Sequence, residues 1–154
     1  MRHAKLLALL LGSFTLLSAA DPILGSWQLN LAKSRYDPGP PPRSVTRTYT
    51  QEKNGIKAVS ITVYKNGNSD TVHYPSDYDG REHPVAGSPD TDGIIMNRVD
   101  EYTAQSTLMH AGKVIGVTRR TVSKDGKTLT ITFKGTGPAG EQVSNITYYD
   151  KVVE

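Results

Sequence analysis

Between Thr128 and Lys134 the chain alternates without a break: Leu129, Ile131 and Phe133 stand between Thr128, Thr130, Thr132 and Lys134. Only an extended strand sorts such a run onto two faces, one apolar and one polar. Lys124-Asp125-Gly126-Lys127 precedes it as a turn, with Gly126 supplying the positive φ that a reversal needs. The stretch Val114–Thr136 therefore reads as a hairpin. The same pattern recurs along the chain. Asn54-Gly55, Asn66-Gly67, Asp79-Gly80, Asp92-Gly93, Ala111-Gly112 and Pro138-Ala139-Gly140 punctuate runs of strand-forming residues. No stretch holds a helical period, so the expectation is an all-β chain, an antiparallel up-and-down barrel of about eight to ten strands.

The hairpin carries one chemically pointed feature, an arginine on its inner wall. A three-residue turn with Gly126 in the left-handed region sets Arg119 opposite Ile131. Ile115, Val117 and Arg119 then face inward with Leu129, Ile131 and Phe133. A two-residue turn shifts the register by one and sends Arg120 inward instead. Arg47 shares a face with Val45 and Tyr49 on an earlier strand. A buried guanidinium is costly unless it is paired or hydrogen-bonded. Two readings follow: the arginine closes the barrel by packing on Trp27, or it faces a cavity and receives a ligand carboxylate.

Residues 1–20 have the make-up of a signal peptide. Arg2, His3 and Lys5 precede the apolar run Leu6–Leu17, and Ser18-Ala19-Ala20 offers small residues before a cut at Asp21. The expected division is a signal peptide over 1–20 and one β-barrel domain over 21–154. The expected location is periplasmic or secreted, with no stable membrane anchor after cleavage, since the run is short for a spanning helix. Removing Arg2 and Lys5 from the 18 Lys and Arg leaves 16 against 15 acids, a formal charge of +1. That balance gives no footing for nucleic-acid binding. There is no cysteine, so a core alone must hold the domain.

The first strand follows at once. Ile23, Gly25, Trp27 and Leu29 occupy one face, and Trp27 is the chain's only tryptophan. Gly25 lets another group approach closely. Lys33–Ser44 then carries four prolines, and is expected to cross between the first two strands or lid the barrel. His73, His83 and His110 stand at no metal-ligand spacing, so no metal is assigned. The acidic pairs Asp77/Asp79, Asp90/Asp92 and Asp100/Glu101 sit in turn regions, where aspartate bonds to its own backbone. No nucleophile motif or phosphate loop stands out. No catalytic residue and no cofactor is assigned, and the chain is not read as an enzyme.

Gly25-Ser26-Trp27 on a first strand, a crossing segment, a meander of hairpins and a final Tyr148-Tyr149-Asp150-Lys151 strand resemble the calycin group, lipocalins and fatty-acid-binding proteins. GSWQLNLAKSRYDPGPPPRS, YDGREHPV and VSKDGKTLTITFKGT look like small exported bacterial lipocalin-like proteins. The resemblance implies a calycin-like barrel in which Gly25, Trp27 and an arginine such as Arg120 close one end. Fatty-acid-binding proteins also hold a carboxylate with an Arg-x-Tyr pair on the last strand. Here that place reads Thr147-Tyr148-Tyr149, with the tyrosine matched and the arginine replaced. The helical pair that lids those barrels is absent, and the proline-rich run stands in its place.

The functional expectation is a binding protein holding a small, largely apolar ligand, anionic if an arginine greets it. Arg47, Tyr49, Arg119, Ile131, Phe133 and Tyr149 are the candidate ligand residues. The alternative is a structural or interaction protein of the cell envelope whose barrel is filled by side chains, and a third reading is an enzyme working in the cavity, an isomerase or hydrolase with a tyrosine or histidine as acid–base group. The oligomeric state is not legible.

Overall fold

The computed structural model describes residues 19–153. The proposed signal peptide, apart from Ala19 and Ala20, lies outside them. Ten strands follow one another: β1 (Gly25–Leu29), β2 (Ser44–Glu52), β3 (Gly55–Val63), β4 (Ser69–Pro75), β5 (Asp79–Pro84), β6 (Gly93–Asp100), β7 (Thr103–His110), β8 (Lys113–Val122), β9 (Thr128–Thr136) and β10 (Gln142–Lys151). All pair antiparallel with chain neighbours, and β1 pairs with β10 to bring the ends together. The result is the antiparallel up-and-down barrel that the alternation calls for.

Closure is completed between β4 and β5. There His73 and Ala86 exchange two backbone hydrogen bonds, of 2.8 and 2.9 Å. The flanking edges are defended by chemistry rather than by pairing. β5 reads Asp-Gly-Arg-Glu-His-Pro, and its register slips between Asp79 and Glu82. Charge, a bulge and a proline are what keep an exposed edge from recruiting another strand. Asp79-Gly80 thus lies within the strand, as part of a bulge. Asp92-Gly93 opens β6 as expected, and the reversal from β5 is made by the preceding residues.

The proline-rich segment does not lie across the barrel as a lid. Arg35 and Ile146 exchange backbone hydrogen bonds of 2.8 and 2.9 Å, and the Ser144 amide donates to Asp37 O at 2.8 Å. Residues 35–37 thereby continue the ladder along β10 beyond the end of β1. The prolines that follow cannot donate to a ladder, and they lead the chain out to β2.

One end of the barrel is plugged. Trp27 is fully buried, with Ile23, Leu129, Val122, Tyr49 and Tyr149 in the same cluster. Its Nε1 donates to Ile23 O at 2.8 Å, so the turn before β1 is pulled beneath the plug. The cation over the indole is Lys151, with Nζ 4.4 Å from the ring centroid. Lys151 Nζ also donates to Leu24 O. Gly25, at φ +110°, makes room for this lysine: a Cβ there would stand 2.9 Å from Lys151 Cε. The expectation of Arg120 on Trp27 is therefore corrected. Lys151 is already paired opposite Trp27 on β10 and needs no reach across the interior.

Lys151→Met should lower stability in chemical denaturation by about 1–2 kcal/mol, the scale of a desolvated cation–π contact and one hydrogen bond. Arg119→Ala, on the outer surface, should change it by less than about 0.5 kcal/mol. The opposite order would return an arginine to the tryptophan.

Candidate functional site

The hairpin register decides which arginine faces inward. Arg120 pairs with Ile131, Val122 with Leu129, and Thr121 with Thr130. The loop between them is longer than a three-residue turn. The Ser123 amide donates to Thr128 O at 2.8 Å, the Ser123 hydroxyl accepts from the Thr128 amide at 2.9 Å, and Gly126 takes φ +71°. The inward face of β8 is accordingly Gly116, Thr118, Arg120 and Val122. Arg119 is exposed and Val117 is 40% exposed. Inward Arg119 and Val117 are corrected by this parity. A bulge next to Ile115, where Leu108 pairs with Gly116 but Met109 with Val114, offsets the start of the strand.

Arg47 stands on β2 between Trp27 and Ser60, so it points inward with the tryptophan. Tyr49 lies one step along the same face, opposite Ala58 of β3, and Ala58 in turn faces Tyr74 of β4. Arg47, Tyr49, Tyr74 and Arg120 make the floor of a cavity of ≈ 230 Å³ above the Trp27 plug. Its walls are apolar, with Val72, Val85, Ile94, Met96, Leu108 and Ile131, and small hydroxyls stand at intervals between them. Among the described residues that line it there is no aspartate or glutamate.

The two guanidiniums are held mainly by aromatic rings. Arg47 lies 5.4 Å from the Tyr149 centroid, and its Nη1 donates to Tyr74 Oη at 3.4 Å. Arg120 lies 5.2 Å from the Tyr49 centroid and 5.4 Å from that of Tyr78, and its Nη2 donates to Tyr78 Oη at 2.5 Å. Arg47 Nε and Arg120 Nη1 are buried with no hydrogen-bond partner among the described residues. An N–H left bare on a buried cation costs on the order of 1–3 kcal/mol or more, so such orphans call for a partner.

A carboxylate reaches only one of the two, and through an intermediary. Tyr78 Oη accepts from Arg120 and donates to Asp21 Oδ2 at 2.8 Å, and Arg98 closes on the same oxygen. Arg98 also stacks on Tyr78, 3.8 Å from its centroid. Burial works to raise the Asp21 carboxyl, but the Ile23 amide, Tyr78 and Arg98 together hold it below the ordinary aspartate value. Arg47 has no such relay.

Of the candidate ligand residues, Arg47, Tyr49 and Ile131 line the cavity. Tyr149 is buried beneath Arg47 rather than in the wall. Phe133 shares the inward face of Ile131 but lies over Gly116 and Gly135, where added Cβ atoms would come within 2.5 and 2.8 Å of its ring. Arg120 moves from plug to cavity floor. Tyr74, Tyr78 and Asp21 went unnoticed in the sequence. The pairing of β3 with β4 across Asn66-Gly67 was the available signal for Tyr74. Nothing local marks Asp21 as a partner of Tyr78, 57 residues away.

No protein-family model matches the chain, and no curated protein matches its sequence. Solved structures do match its fold. Zebrafish ileal bile acid-binding protein, in a crystal structure with cholic acid, is similar at a TM-score of 0.53 and 15% identity, over 85% of this chain and 99% of that one. At that identity the likeness carries the fold alone, an antiparallel β-barrel.

Asp21→Asn tests the relay. A carboxylate whose folded value lies below its unfolded one contributes stability above the unfolded value, about 3.9, and loses it as pH falls through the folded one. The variant should therefore be about 1–3 kcal/mol less stable at neutral pH, the scale of hydrogen bonds to a charged group. The difference should vanish in acid below the aspartate range. A deficit that persists unchanged there would contradict the assignment.

Proposed function

We propose that this chain is exported, to a periplasm or a secreted location, and that its barrel binds a small, largely apolar anion. The acid head of the ligand meets Arg47 and Arg120, and its tail lies along Ile94, Met96, Leu108 and Ile131. The observation that carries this reading is the pair of buried guanidiniums, each with a bare N–H, in an apolar cavity without an acid among its described lining residues. A carboxylate matches the planar fork of arginine and supplies the missing charge. The likeness of the fold to a bile acid-binding protein supports an interior that takes a ligand. The ≈ 230 Å³ of room lies below the ~300–1,000 Å³ of sites that enclose drug-sized ligands, so a short acid is favoured. Export rests on the make-up of residues 1–20, and resemblance to small exported lipocalin-like proteins of bacteria agrees with it.

Calorimetric titration with octanoate, with octan-1-ol as the uncharged control, tests the site. The wild type should bind octanoate and prefer it to the alcohol. Arg47→Gln and Arg120→Gln should each weaken octanoate by about tenfold or more, the equivalent of ~1.4 kcal/mol for one lost charged contact. Uptake of neither compound would leave the barrel as a structural protein. Equal affinity for acid and alcohol would remove the guanidiniums from recognition.

A further inference from the structure

The floor of the cavity holds two phenols as well as two cations, and they stand in unequal positions. Tyr49 is 2% exposed, lines the cavity, and has the Arg120 guanidinium 5.2 Å from its ring centroid. Its hydroxyl lies 3.3 Å from that of Tyr74. Tyr74 Oη already accepts from Arg47 Nη1 at 3.4 Å, which leaves its own proton free to be donated to Tyr49. A phenol oxygen that accepts a hydrogen bond, flanked by two cations with no carboxylate among the lining residues, is arranged to carry negative charge.

The groups facing Tyr49 come from several strands: Arg47 on β2, Tyr74 on β4, Arg120 on β8, and Tyr78 just before β5. Burial alone would push both phenols up. At Tyr49, Arg120 and Arg47, with the hydrogen bond from Tyr74, outweigh burial and bring it below its ordinary value. At Tyr74 burial prevails, with Tyr49 adding to it, and the phenol is held well above. Neighbouring titratable groups driven apart in this way are the usual basis for a division into base and acid.

We propose that Tyr49 is a general base in this cavity, and that the site catalyses proton transfer at carbon next to the carbonyl of a bound 2-oxo acid. The reading rests on the anion-binding function above. With the acid head at the guanidiniums, the phenolate oxygen of Tyr49 removes a proton from C3. The C–H electron pair becomes the C=C bond of an enolate, and the carbonyl π pair moves onto its oxygen. That oxygen stands on the carbon next to the acid head, so the two guanidiniums that hold the head flank it as well, a preorganised contact of the kind that favours the transition state. Return of the proton from Tyr49 to C3 restores the ketone; in the other branch Tyr74 gives its proton to the enolate oxygen and takes the one held by Tyr49, 3.3 Å away, which yields the enol and regenerates the Tyr49 phenolate. No oxidant, reductant or second substrate enters.

The experiment uses 2-oxooctanoate as probe. Calorimetry measures its binding, and proton NMR in deuterium oxide follows loss of the C3 signal. The wild type should bind it and speed exchange about a hundredfold or more over buffer, the usual reach of one positioned base. Tyr49→Phe should still bind the probe while exchange falls to the buffer rate, and Tyr74→Phe should slow exchange with binding retained. Binding without acceleration overturns this proposal and leaves the binding function standing. Failure to bind either this probe or octanoate overturns both. Ultraviolet absorption titration of the wild type supplies a readout that does not depend on the variants folding. One of the eight tyrosines should ionise below the ordinary value of about 10. Ionisation of every tyrosine at or above that value would overturn the proposal.

Discussion

Two guanidiniums inside an apolar barrel, with no acid among the described residues of the cavity wall, set the terms for the rest of this structure. Arginine stays protonated, so the charge has to be managed rather than removed. The barrel does so with aromatic faces: Tyr149 beneath Arg47, and Tyr49 and Tyr78 around Arg120. Among the described residues only Arg120 is connected to a carboxylate, by way of Tyr78 to Asp21. What remains is a cation-lined floor above a rigid plug, under walls that favour an apolar tail.

The plug and the floor are built from the same strands, one side-chain step apart. Trp27 faces Arg47 across the first pair, and Gly25 faces Tyr49. Lys151 covers the indole from β10, so the tryptophan end is satisfied without drawing either arginine away from the cavity. The plug and the cavity floor therefore have separate cations and separate tasks. Tertiary restraint is concentrated at the plug, where residues 21–24 are tied down by Asp21 and by the Trp27 indole.

Much of the fold could be read from alternation and turns, because both are local. Leu129 and Ile131 point inward as their period requires, and Asn66-Gly67 and Ala111-Gly112 reverse the chain where expected. The parity of β8 was misread for a physical reason. A three-residue turn sets Arg119 opposite Ile131, whereas the longer loop closed by Ser123 and Thr128 sets Arg120 there. A bulge at Ile115, the hydrogen-bonded Ser123 loop, and the ring of Phe133 over Gly116 put Gly116, Thr118 and Arg120 inward instead. The arginine chemistry thus survived the error while the residue changed, from Arg119 to Arg120. Tyr74, Tyr78, Asp21 and Lys151 depend on contacts between distant parts of the chain, which no window of sequence displays.

The central claim is that Arg47 is kept for a ligand at some cost to the empty barrel. Thermal unfolding of Arg47→Met, with and without octanoate, measures that directly. Replacing an uncompensated buried charge with an apolar side chain of similar reach should stabilise the ligand-free protein, by up to about 1–4 kcal/mol. Octanoate should then raise the melting temperature of the wild type and leave that of the variant nearly unchanged. A ligand-free variant that melts below the wild type, together with an undiminished response to octanoate, would make Arg47 a structural residue and contradict the account.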